Sequence, residues 1–113
     1  MSGVSERSVI ALKCTRVASA AVFLHSQGQL SSVMNQVARI NEVGSSDDAF
    51  TNTFIEQNRL DPNDEFLFPA LFLAQMNIKW LETKGPYRSE MEPIYTAYLA
   101  ASCARVAKIP GGA

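Results

Sequence analysis

Apolar positions along this chain recur with the period of an α-helix, and no run alternates with period two for long enough to be a strand. Val9, Ile10, Leu12, Cys14, Val17, Ala18, Ala21, Val22 and Leu24 mark one face of a first helix, with Lys13 and Arg16 on its wet side. Ser5 is placed to cap its start, and Gly28 suits the left-handed position that ends it. The small residues Ala18, Ser19, Ala20 and Ala21 invite close approach by a neighbouring helix. Leu30, Val33, Met34, Val37 and Ile40 form an i, i+3, i+4, i+7 stripe on a second helix, which Gly44 closes. Only Gln27 to Gln29 join the two, so the pattern predicts an antiparallel hairpin.

Ser46 is placed to cap a short third helix running to about Asn58, with Asp47 and Asp48 in its first turn. Phe50, Thr53, Phe54 and Gln57 share a face there, but the threonines and asparagines make it a weak helix former.

The most apolar stretch is Phe66 to Leu81, which holds three of the six Phe and the only Trp. A helix apolar nearly all round is normally buried, so this one is expected to lie at the centre, with Phe72 and Trp80 largely covered. Asp64, Glu65 and Lys79 bound or interrupt it, leaving it short of the ~20 apolar residues of a membrane span. Asp61 as cap and Pro62 at the first helical position would start it, and Lys84-Gly85-Pro86 stops it. Pro69 predicts that this central helix, about 62–84, either kinks there or is broken, with a short turn over Pro62 to Phe68 preceding a main helix from Pro69, the favoured reading. Ser89 and Glu92 are spaced as a capping box for a last helix. Its apolar face carries Met91, Ile94, Tyr95, Tyr98, Leu99, Ser102, Cys103 and Val106. The expected fold is all-α: a compact bundle of four main helices plus one short helix. It is read as a single domain over residues 1–113, with frayed ends at about 1–4 and 110–113.

Charge and composition narrow the function. A formal charge of −1, with 19% charged and 47% apolar residues, describes a globular chain with no global field for nucleic acid or an anionic membrane. Neither is expected as a partner. Glu6 and Arg7, followed by Lys13 and Arg16, break any signal-peptide pattern. Two cysteines, Cys14 and Cys103, are too few for a disulfide framework. They are expected to be reduced, buried thiols in a cytoplasmic protein, although a bridge between the terminal helices remains geometrically open.

Catalytic chemistry is scarce. The single histidine, His25, lies eleven residues from Cys14, about 16 Å along one helix, which precludes a nucleophile–base pair. None of the six glycines sits in a phosphate-cradling pattern. Metal sites needing two or more histidines, or four cysteines, are excluded by count. No catalytic residue, cofactor or metal site is therefore expected.

Two groups of residues remain as candidates. Phe66, Phe68, Phe72, Tyr87, Tyr95 and Tyr98 could form an interface or line a pocket, or simply edge the core with the tyrosine hydroxyls in solvent. Asp47, Asp48, Asp61, Asp64 and Glu65 could form an acidic surface, although helix capping accounts for most acids at such positions. The expected role is a non-catalytic interaction, assembly or inhibitor protein that self-associates as a homodimer or higher oligomer and binds another protein. The alternative is a binder of a small molecule or nucleotide in a pocket between helices.

Overall fold

A computed structural model describes residues 6–107; Ser5 and the expected frayed ends lie outside the described residues. Five α-helices follow one another: Glu6–Ser26 (α1), Leu30–Val43 (α2), Ala49–Gln57 (α3), Leu67–Glu82 (α4) and Glu92–Ala107 (α5), with a 3₁₀ turn at Ser89–Met91. Helix accounts for 77% of the described residues and no strand is present among them, so the fold is all-α.

Helix ends follow the glycines. Gly28 takes φ 71°. There Gln29 N–H donates to Leu24 O at 2.8 Å and Gly28 N–H to His25 O at 3.0 Å, the paired bonds of a Schellman stop. Gly44, at φ 92°, donates to Ile40 O and ends α2. α3 ends with the same two bonds as α1, from Leu60 to Ile55 and from Arg59 to Glu56, but its left-handed residue is Arg59 at φ 56°.

Helix starts depart from expectation, and proline explains two of the three departures. α3 is capped by Asp48, whose carboxylate accepts from Thr51 N–H, and not by Ser46, whose hydroxyl accepts from Asp48 N–H. α4 does not begin at Asp61 and Pro62: the favoured short turn precedes it, and the main helix starts at Leu67, two residues before the expected Pro69. Starting at Leu67 makes Pro69 its third residue, inside the first turn, where no intrahelical donor is lost. The carboxylate of Asp64 accepts from Phe66 N–H just before that start. The capping box at Ser89 does not form either. Pro93 would have to supply the first N–H to the Ser89 carbonyl, and it has none. Glu92 N–H bonds Ser89 O instead, giving the 3₁₀ turn, and α5 starts at Glu92.

The centre of the core is α1. Its buried side includes Cys14, Val17, Ala18, Ala20, Ala21, Val22 and Leu24. Its most extensive contact is with α5, and it also touches α4 and α2. α1 and α2 touch, as the short link requires, but α2 packs chiefly on α4. All five residues of the predicted α2 stripe are buried. α3 buries Thr51, Phe54 and Ile55, a face rotated from the expected one, and leaves Phe50 exposed. On α5, Tyr95, Leu99, Ser102 and Cys103 are buried while Ile94 and Val106 face out.

Two expectations are corrected here. The cysteines are not free thiols: Cys14 of α1 and Cys103 of α5 form a disulfide. Phe72 and Trp80 are not covered either, because the molecule measures 44 × 35 × 22 Å. The smallest dimension is about two helix diameters, so the helices form two layers and none is surrounded. α4 rests on α1, α2 and α5 through Leu67, Ala70, Leu71, Ala74 and Ile78, and its opposite side meets solvent. Among the described residues α1 is the one helix long and apolar enough to cross a membrane by length and composition, a test that core helices of soluble proteins also pass.

Candidate functional site

The outward side of α4 is built from residues four apart: Phe68, Phe72, Met76 and Trp80. That spacing aligns side chains into one ridge, here about 18 Å long over twelve residues. Phe72, Met76 and Trp80 are 49%, 53% and 48% exposed. Phe68 is half-buried and stacks on Phe72 with ring centroids 6.4 Å apart. At the far end Trp80 stacks on Tyr98 of α5 at 5.7 Å, and the Lys84 ammonium lies 4.9 Å from the Trp80 ring centre. These contacts engage the large rings while leaving Phe72 and Trp80 about half exposed. A fully exposed aromatic would lose more side-chain freedom on docking than one already stacked.

A polar corner joins the ends of α1 and α4 to the start of α5. His25 Nε2 and Glu82 Oε2 are 2.9 Å apart, an ion pair whenever the imidazole is protonated. The Tyr87 ring meets His25 edge-on at 5.4 Å and Tyr95 at 5.2 Å. Tyr87 donates its hydroxyl to Glu92 at 3.0 Å. Burial first, and that bond second, push the Tyr87 hydroxyl up to about 12. Tyr95 is only 2% exposed, and its hydroxyl is buried with no hydrogen-bond partner. Burial and then the Glu82 carboxylate raise its pKa. Both tyrosines therefore stay neutral. A histidine oriented by a carboxylate resembles half of a general-base arrangement. Here the hydrogen bond and ring contacts involving His25 run to Glu82 and the Tyr87 ring, and both cysteines are held in the disulfide. Among the described residues no group of three His, Cys, Asp or Glu could hold a metal ion.

No family model, no characterised protein and no solved structure matches this chain.

The residues singled out by sequence separate into different places. Phe68, Phe72 and Tyr98 belong to the α4 ridge and its flank. Tyr87 and Tyr95 belong to the polar corner, and the Tyr95 hydroxyl does not reach solvent. Phe66 lies elsewhere, 5.7 Å beneath the Lys13 ammonium, which also pairs with Asp64 at 2.8 Å. Met76 and Trp80 were missed as surface residues. Their i+4 spacing with Phe72 marks one ridge, but in a helix apolar nearly all round that spacing does not distinguish surface from core.

The acids do not form one surface. Asp48 caps α3, and Asp64 serves Lys13 and the Phe66 N–H, each bond holding its carboxyl below the usual range. Asp61 accepts from Asn63 N–H within its own turn. Asp47 and Glu65 are exposed and have no ion pair among the described residues. Among the described residues two clefts stand out. One of about 230 Å³ is lined by Lys13, Arg16, Arg59, Asp61 and Asp64, and an open trough runs along α5 by Pro93 and Thr96. Neither is lined by the tyrosines, and the first is smaller than the ~300 Å³ lower bound typical of ligand sites.

Proposed function

We propose that this protein is a small non-catalytic interaction protein, of the assembly or inhibitor kind, that docks through the exposed face of α4. The observation that carries the reading is the continuous Phe68–Phe72–Met76–Trp80 ridge, three members of which are about half exposed. Half of the ~200 Å² of a large side chain is ~100 Å², so these three alone present ~300 Å² of apolar surface. A patch of that size on one face falls in the range that marks functional contacts on monomers. Aromatic residues and Met are also the types enriched at interface cores.

A photo-crosslinking residue placed at Met76 tests the reading in cells expressing the protein. Adducts at position 76, absent when the same residue replaces Ser32 on the polar side of α2, are the expected result. No adduct at position 76 would refute docking through this face.

A further inference from the structure

The occupant of this face follows from what stands at its two ends. Glu65 lies just before the N-terminal end of the ridge and Lys79 lies near its C-terminal end. Both are exposed, and neither has an ion-pair partner among the described residues. Glu65 is seven residues before Phe72 and Lys79 is seven after it. Phe68 and Met76 are likewise four before and four after. From Glu65, in the turn that leads into α4, to Lys79 the order of residues is therefore self-complementary about a two-fold axis at Phe72, with Trp80 just beyond the symmetric stretch.

Resting on the docking reading above, we infer that the partner is a second copy of this chain, with the two α4 helices crossing nearly antiparallel at Phe72. In that register Phe72 meets the partner's Phe72, Met76 packs on the partner's Phe68, and Lys79 reaches the partner's Glu65. The Phe72 contact lies on the axis and occurs once, and the other two occur twice. The sulfur–ring pairing suits Met, whose thioether packs favourably against aromatic edges. A shallow crossing of about 20° keeps the helices side by side for several turns, so the long Lys and Glu side chains span the gap at both ends. A parallel pairing would place Lys79 beside the partner's Lys79 and leave both glutamates together, which opposes association. Two-fold closure is self-limiting and covers Phe68, Phe72 and Met76, while Trp80 lies past the paired stretch against Tyr98 and Lys84 of its own chain.

The area fits a reversible dimer. Phe72 and Met76 bring ~200 Å² of exposed apolar surface to the contact, which makes it small, of the weak and transient class. Association is therefore expected at micromolar concentrations.

Sedimentation equilibrium of the purified protein from 1 to 200 μM tests this. The parent should show a monomer–dimer equilibrium that weakens as salt is raised, because the end pairs are exposed. Glu65→Lys and Lys79→Glu should each weaken dimerisation about tenfold, since each places two like-charge pairs at the contact. The combined Glu65→Lys/Lys79→Glu protein should recover the parent affinity. Both positions lie on the surface, and unchanged circular dichroism confirms that the variants fold. A dimer indifferent to both single swaps would overturn the register. A monomer at 200 μM would overturn the second-copy inference, and crosslinks from position 76 to a different protein would then leave the docking reading standing. A dimer with no adduct at position 76 would place association on another face and overturn both.

Discussion

Cutting the Cys14–Cys103 bridge should cost this protein much of its stability. The two cysteines are 89 residues apart, so the bridge closes most of the chain into one loop. In the chain-entropy account the closure removes about 2.1 + 1.5R ln n of denatured-state entropy, or 15 cal/mol/K for n near 89, which is about 4.6 kcal/mol at 25 °C. A domain of this size holds only about 5–15 kcal/mol in total. At roughly 2.1 cal/mol/K per residue, unfolding 113 residues carries ~240 cal/mol/K, so the loss corresponds to a fall in Tm of about 19 °C. The perturbation is the double variant Cys14→Ala/Cys103→Ala, chosen because both sites are buried and accept a small apolar side chain. Thermal melts followed by circular dichroism give the shift. Urea titration gives a second readout, since a chain freed from its loop exposes more surface on unfolding and its m-value should rise. Dithiothreitol should lower the Tm of the parent toward that of the variant and leave the variant unmoved. A double variant melting within about 5 °C of the parent with an unchanged m-value would refute the reasoning.

Three further outcomes follow from particular side chains. Tyr95→Phe removes a buried hydroxyl that has no partner, so it should raise stability by about 1 kcal/mol, near 4 °C in Tm; a loss of similar size would mean the hydroxyl is bonded in solution. The Tyr87 hydroxyl stays protonated to about 12 in the folded chain but ionises near 10 when unfolded, so it contributes stability below pH 10 that is lost as pH rises toward 12. The Tm gap between the parent and Tyr87→Phe should therefore narrow from pH 9 to 11.5, and a constant gap would count against that protonation. Arg59→Gly relieves a left-handed backbone at the end of α3 and should stabilise by about 0.5–1 kcal/mol in a chemical denaturation curve, whereas destabilisation would show that the Arg59 side chain holds the turn.

Local signals were legible and neighbour-dependent ones were not. The α2 stripe and the stops at Gly28 and Gly44 could be read directly, because helical period and left-handed φ are properties of a few adjacent residues. The helix starts were harder. Pro93 had to be counted against the Ser89 carbonyl, and Pro69 against the position of Pro62, before the true first turns emerged. Which apolar helix lies at the centre was not legible. α1 and α4 are both apolar on most sides, and bulky aromatics favoured α4 as the buried one. The deciding fact is the number of layers, which depends on how five helices share their faces. Small residues were the better guide, since Ala18, Ala20 and Ala21 are all buried on the helix that lies at the centre. The disulfide was open but not favoured. Two sulfurs 89 residues apart carry no spacing signal, and only the α1–α5 packing brings them together.

The pairing of the first long helix with the last has a consequence for the newly made chain. Sixty-six positions separate Ser26 from Glu92 (92 − 26), so α1 is synthesised well before its main partner. At 5–20 residues per second that interval lasts about 3–13 s. Throughout it an apolar helix waits with its alanine groove uncovered and Cys14 without its mate. Vectorial emergence therefore cannot complete this fold piece by piece. α2, α3 and α4 can assemble on one side of α1, but the molecule closes only when its last helix arrives. A chain stalled or truncated before α5 would display that groove, making it a ready substrate for holdase chaperones and for aggregation.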